Sequence, residues 1–222
     1  MKRIVEPELM LDTDQAIAYA NADFSESDER FVQRFQQLFD TLEQGEIIDL
    51  GCGPGNITLR MSEAFPGCHI TGVDGSEAML EIARERAEKI PVVTLKPRFV
   101  KATLPSAELP SGRAAAVVSN SLLHHLHSPS VLWTTIKKIT VANAAVFIVD
   151  LRRPETPELA MQLVNTYAQG APEILLQDFY NSLLAAFEVD EVRQQLDSAG
   201  LTGLNVQAVG DRYLEVSGRM PK

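Results

Sequence analysis

Cysteine is nearly absent from this chain: Cys52 and Cys68 are the only two in 222 residues. They form no C-x-x-C pair and have no histidine at metal-site spacing, which argues against a disulfide framework or structural zinc, and no metal is expected. Long hydrophobic runs are missing too, and no stretch approaches the roughly 20 apolar residues needed to span a bilayer. The opening Met1-Lys2-Arg3-Ile4-Val5-Glu6-Pro7 is basic but carries no apolar core of a signal peptide, so a cytoplasmic protein is expected. Positive charge is in deficit, with 20 Lys and Arg against 30 Asp and Glu, a net charge of −10. That balance argues against a general attraction to nucleic acid or anionic lipid. Arg84, Arg86 and Lys89 do cluster, but among Glu81, Glu85 and Glu88, so they read as a solvated, salt-bridged helix face. No repeat and no low-complexity segment is visible, and the length suits one domain with a full core.

What is present centres on Ile47-Ile48-Asp49-Leu50-Gly51-Cys52-Gly53-Pro54-Gly55-Asn56. An apolar run ends in an acid, breaks into three alternate glycines and continues as a helix-periodic stretch. This reads as a buried strand, a turn stripped of side chains and a helix N-terminus. Such a turn brings main-chain amides and the positive end of a helix close to a ligand. Ile70-Thr71-Gly72-Val73-Asp74 then supplies a second strand ending in an acid. The pair has the form of a mononucleotide-binding βαβ unit, in which the second acid takes the ribose hydroxyls.

From residue 46 the pattern alternates: strand 46–50, helix 55–65, strand 69–73, helix 76–89, strands 98–101 and 114–119, helix 129–141, strand 144–150. Alternation of this kind predicts a doubly wound α/β fold, a mostly parallel seven-stranded sheet with helices on both faces. Residues 1–43 form an N-terminal helical cap, with Asp12 as a candidate helix cap and Phe31, Phe35, Leu38 and Phe39 on one helical stripe. Residues 44–150 form the cofactor core. Residues 151–187 are punctuated by Pro154, Pro157 and Pro172 and read as a helical insertion or lid, with helices at 158–169 and 173–187. Residues 188–222 supply a helix ending at Gly200 and an antiparallel hairpin turning at Gly210-Asp211.

The glycine spacing is G-x-G-x-G, with Asn56 where a dinucleotide fingerprint places its third glycine. This segment resembles the glycine-rich motif of class I S-adenosylmethionine-dependent methyltransferases. The resemblance continues through Gly72-Val73-Asp74-Gly75-Ser76-Glu77-Ala78-Met79-Leu80-Glu81-Ile82-Ala83 and again through Val117-Val118-Ser119-Asn120-Ser121-Leu122-Leu123-His124-His125-Leu126. It implies S-adenosylmethionine as cofactor and methyl transfer to a small-molecule acceptor. The implied cofactor contacts are Gly51, Cys52, Gly53 and Gly55 in the turn, Asp74 and Gly75 at the ribose, and Asp49 beneath the turn toward the methionine end. Met79 would lie against adenine or simply pack the core. Ala102, Thr103 and Leu104 follow the third strand, where Thr103 replaces the family's usual acid. Asn120 would lie beside the transferable methyl.

Further candidates face the acceptor. His124 and His125 are suited to accept a proton from a hydroxyl nucleophile; on a helix they would point about 100° apart, so at most one is expected in the pocket. Asp150, Arg152 and Arg153 follow strand five, on the sheet edge where ligands bind, and an arginine there would clamp an anionic acceptor. Tyr19, Asp178 and Tyr180 are candidate lid residues by fold analogy. Cys52 is either a reactive thiol or a small residue that fits the turn. Two rival readings remain at this stage: a nicotinamide-dependent dehydrogenase, and a non-catalytic adenosylmethionine sensor. Oligomeric state is left open.

Overall fold

A computed structural model describes residues 1–7, 13–89 and 95–222. The Asp12 helix cap expected from sequence lies outside the described residues. Among these described residues seven strands form one sheet: β1 (Gly45–Leu50), β2 (Cys68–Asp74), β3 (Arg98–Lys101), β4 (Ala114–Asn120), β5 (Thr140–Leu151), β6 (Leu204–Val209) and β7 (Tyr213–Arg219). Their order is β3-β2-β1-β4-β5-β7-β6. The first five are parallel, and β7 runs antiparallel between β5 and β6. The expected fold class is therefore met, hairpin included.

Among the described residues eight α-helices accompany the sheet: α1 (Thr13–Asn21), α2 (Ser25–Leu38), α3 (Asn56–Ala64), α4 (Glu77–Lys89), α5 (Ser130–Ile139), α6 (Pro157–Tyr167), α7 (Glu173–Ala185) and α8 (Val189–Ala199). Strand side chains alternate between the two faces of a sheet, and the core divides accordingly. Ile47, Ala116, Val118, Ala145 and Phe147 pack toward Phe31 and Phe35 of α2 and Ile57 and Met61 of α3. Ile48, Leu50, Val117, Val146 and Ile148 face Leu132, Trp133 and Ile136 of α5 and Leu196 of α8. With both faces covered, the central strands read as continuous apolar runs. Phe35 is fully buried and meets Phe39, Phe65 and Phe147 ring to ring, so the aromatic stripe of α2 is core packing.

The junction of α5 and β5 differs most from expectation. β5 begins at Thr140, four residues early, and α5 stops at Ile139. Thr140 and Val141 are β-branched and favour the extended chain. The Thr140 Oγ1 closes the helix by donating to the Ile136 carbonyl at 2.7 Å. Helices α6 and α7 carry a small core of their own, in which Ala160, Val164, Leu183 and Leu184 pack with Leu151. Among the described residues no helix is long and apolar enough to cross a membrane.

Candidate active site

The order of the sheet reverses between β1 and β4, and in open α/β sheets ligands bind in the crevice at that switch point. A cleft of about 1860 Å³ lies there, lined by the loops after β1, β2, β3 and β4 and by the N-terminal segment, α1, α2 and α7. Single ligand sites run to roughly 300–1,000 Å³, so the volume suits two ligands side by side.

The turn after β1 is built by its glycines. Gly53 has φ +51°, and a Cβ there would meet nothing within 4 Å, which leaves its cleft side open to a ligand. Gly55 has φ +85°, and a Cβ there would stand 3.1 Å from the Ala83 Cβ, so its bare backbone lets α4 approach α3. The amides of Gly51 and Cys52 donate to the Val73 carbonyl at 2.8 and 3.0 Å, pinning the turn to β2. Arg86 is not the solvated residue expected. Its guanidinium donates to the Pro54 carbonyl, to Asn56 Oδ1 at 2.7 Å and to the Ala20 carbonyl, tying the turn to α1. Arg84 does remain in a surface pair with Glu77.

Asp74, at the tip of β2, accepts from the Gly53 amide and from the Ser76 amide, each at 2.8 Å. A carboxylate has about four acceptor positions, so lone pairs remain for ribose hydroxyls. Burial raises the pKa of Asp74 and the amide bonds oppose that rise. Asp49 is 1% exposed and accepts from Thr58 Oγ1 at 2.6 Å. Burial pushes its pKa up to about 7, with Asp74 adding to the rise.

An acid with a raised folded pKa is protonated near neutrality, and a bound sulfonium cation favours its ionised form. Binding that releases a proton strengthens as pH rises through that pKa. Affinity for S-adenosylmethionine should therefore increase between about pH 6 and pH 8 and flatten above it. In Asp49→Asn that rise should be much smaller. Calorimetry across the range checks it, and an unchanged pH dependence in the variant would contradict it.

Met79, Ala102, Thr103, Leu104, Gly75 and Asn120 all line the same cleft. Met79 is also 4% exposed, so it packs the core and faces the cleft at once. Cys52 is buried, and burial together with Asp49 and Asp74 holds its thiol well above the usual range. A reactive thiolate is therefore disfavoured there, since the thiolate is the reactive form.

The end of β4 holds the second polar group. Ser121 sits at φ +57°, a sparsely populated conformation for a residue with a side chain, and redirects the chain into a 3₁₀ turn at Leu123–His125. His124 and His125 both line the cleft, their ring centroids 4.2 Å apart. The expectation that at most one would face it is corrected: both rings lie side by side against Glu6, which the N-terminal segment brings over the turn. His124 Nδ1 lies 2.5 Å from Asp150 Oδ1. Burial lowers its pKa, but Asp150 and then Glu6 outweigh this and leave it raised. Burial and the neighbouring His124 push His125 down to about 3.

Three substrate-side expectations are corrected by position. Asp150 is 1% exposed and lies beneath the cleft, accepting from the Leu123 amide, His124 and the Leu151 amide. Arg153 is 6% exposed, and its guanidinium is taken by Glu188, Glu191 and the Ala186 carbonyl. Arg152 donates to the carbonyls of Gly210 and Asp211 and staples the hairpin turn. Neither arginine lines the cleft, so neither is placed to clamp an anion there. Tyr180 packs with the α6/α7 core instead of the cleft. Tyr19 does line the cleft, and burial raises its phenol pKa. Asp178 also lines it and accepts from Gln15 Nε2 at 2.8 Å, joining α7 to α1.

Residues 47–143 match the family model of a methyltransferase domain. The chain is 27% identical over 168 residues to malonyl-acyl-carrier protein O-methyltransferase of Legionella pneumophila, covering 73% of this chain and 56% of that one. A shorter match, 58% over 40 residues, links 18% of it to 15% of trans-aconitate 2-methyltransferase from Paracidovorax citrulli. Among solved structures, the plantazolicin methyltransferase BpumL, in complex with a pentazolic desmethylPZN analog and SAH, superposes with a TM-score of 0.69 at 15% identity. That match covers 94% of this chain and 90% of that one. Residues 47–143 are thus similar to a methyltransferase domain, and the fold is that of the solved methyltransferase structure. The matches with curated relatives span little more than half of their length at most.

Sequence reasoning missed Glu6, Thr58, Asp28 and Glu215, all of which line the cleft or hold a residue that does. Asp28 has its pKa raised to about 6 by burial. Glu215 is 3% exposed and is held by Arg34 and Gln207. A charged residue inside a buried run, Leu214-Glu215-Val216, was the available signal for Glu215, whereas Asp28 lies in the polar start of α2. Glu6 had none, because it lies in an aperiodic segment far from the motifs.

Proposed function

We propose that this protein transfers the methyl group of S-adenosylmethionine to a small-molecule acceptor by in-line displacement. The observation that carries this is the joining, in one cleft, of the G-x-G-x-G turn and Asp74 with a separate polar wall. The turn, Asp49, Asp74, Met79 and the Ala102–Leu104 segment form the cofactor half. Asn120, His124, His125, Glu6 and Asp178 form the acceptor half. The sulfonium is already activated, so the protein's work is alignment of nucleophile, methyl and sulfur, with water kept out. The N-terminal segment and α7 would cover the acceptor.

Arg152 and Arg153 do not line the cleft, so they lend no support to the anionic acceptor suggested by sequence; Arg30, Arg34 and Arg212 line it beside Glu6, Asp178 and Glu215. A cytoplasmic setting is part of the proposal, supported by two cysteines that stand free and buried. So is the absence of a nucleic-acid partner. The test is transfer of labelled methyl from S-adenosylmethionine into a metabolite panel, followed by mass spectrometry. Saturable labelling of one acceptor class is expected. Cofactor binding without labelling of any acceptor would favour the sensor reading.

A further inference from the structure

We propose that Glu6, His124 and His125 form a binding site for a divalent transition-metal ion, with open coordination positions toward the cleft. The three side chains come from two distant parts of the chain. Glu6 Oε1 lies 3.5 Å from His124 Nε2 and 3.2 Å from His125 Nδ1, and the three atoms lie within 4.8 Å of one another. A tetrahedral ion with bonds of about 2.0–2.1 Å holds its ligand atoms about 3.3–3.4 Å apart. The two contacts to Glu6 bracket that spacing.

The hydrogen bonding points the same way. Asp150 accepts from two backbone amides, so the short contact to His124 Nδ1 is a third donation into the same carboxylate. With its proton at Nδ1, His124 turns the lone pair of Nε2 toward Glu6. A carboxylate fixing the far nitrogen of a ligating histidine is the usual outer support of such sites. Buried His125 Nδ1 has no hydrogen-bond partner although a carboxylate oxygen is 3.2 Å away. Ser182 Oγ donates to Glu6 Oε1 at 3.0 Å and holds the carboxylate in place. Two imidazoles and one carboxylate with open positions suit zinc or ferrous iron.

The role of the ion rests on the methyl-transfer reading, although the site itself stands on geometry. Activating the sulfonium needs no metal, so the ion would act on the acceptor. It would coordinate a hydroxyl or enol oxygen, which loses its proton to solvent before the covering segments close and water is excluded. That oxygen then forms the bond to the methyl carbon as the carbon–sulfur bond breaks, its electron pair leaving on sulfur. The acceptor class is thus an oxygen nucleophile able to ligate a metal.

The full chain, stripped with a chelator, should be titrated with Zn²⁺ by calorimetry and with Co²⁺ by visible absorption. One saturable site per chain is expected, with Co²⁺ bands of low-symmetry coordination. Asp150→Asn should weaken Zn²⁺ binding by roughly 10–100-fold, the usual loss when an outer support is disturbed. Glu6→Gln and His125→Ala remove ligands and should weaken it at least as much. Adenosylhomocysteine titrated into the same samples reports on the fold and the cofactor half. Unchanged Zn²⁺ affinity in both ligand variants, or no saturable site in the wild type, would overturn the metal site. Zn²⁺ binding without adenosylhomocysteine binding would instead overturn the methyl-transfer reading.

Discussion

Asp150→Ala, measured in chelator so that no ion contributes, is expected to lower stability by about 3–5 kcal/mol, the usual cost of removing one partner from a buried charged cluster. The carboxylate accepts from Leu123 N at 2.6 Å, His124 Nδ1 at 2.5 Å and Leu151 N at 2.7 Å, and all three bonds are buried. Alanine leaves those donors without an acceptor. For a chain of this size the melting temperature should fall by roughly 10 °C. Asp150→Asn retains one carbonyl oxygen and should lose less. Thermal unfolding of the three proteins checks the order, and an alanine variant as stable as wild type would show that Asp150 does not organise the turn beneath the histidines.

Asp74→Ala should weaken cofactor binding by about 2–3 kcal/mol, because ribose hydroxyls lose charge-assisted hydrogen bonds inside a buried cleft. The Gly53 and Ser76 amides lose their acceptor at the same time, so the glycine turn loosens with the ribose contact. Thr103→Ala should cost only about 0.5–1.5 kcal/mol, as one neutral hydrogen bond would. Calorimetric titration with adenosylhomocysteine separates them. A larger loss from Thr103→Ala would mean that ribose and adenine sit elsewhere in the cleft.

The cofactor half was legible in the sequence because its chemistry is local. A strand, a turn and a helix start follow one another within a few residues, so the glycine turn and Asp74 could be placed from spacing, and Asp49 from the family resemblance. The parallel sheet was legible for a related reason: strands buried on both faces leave apolar runs such as Val117-Val118 and Val146-Phe147-Ile148. The acceptor half depends on contacts between distant segments, which spacing does not carry. Glu6 reaches the histidines because the N-terminal segment is anchored by Arg3 to the carbonyls of Ala185, His124 and Leu126, by the Ile4 amide to the Leu184 carbonyl and by Ser182 to Glu6 itself. Arg152 and Arg153 leave β5 at the ligand edge as expected. Carbonyls of the β6–β7 turn capture the first, and Glu188 and Glu191 at the start of α8 capture the second. Arg86 shows the same limit, since a basic residue among glutamates looks solvated until the Pro54 carbonyl and Asn56 are found beside it.

The central claim is that this cleft holds S-adenosylmethionine, and direct titration of the purified protein tests it most simply. Adenosylmethionine and adenosylhomocysteine should each bind saturably with one site per chain, and NAD and NADP should give no heat above dilution. Saturable NAD binding with no response to adenosylhomocysteine would contradict the account.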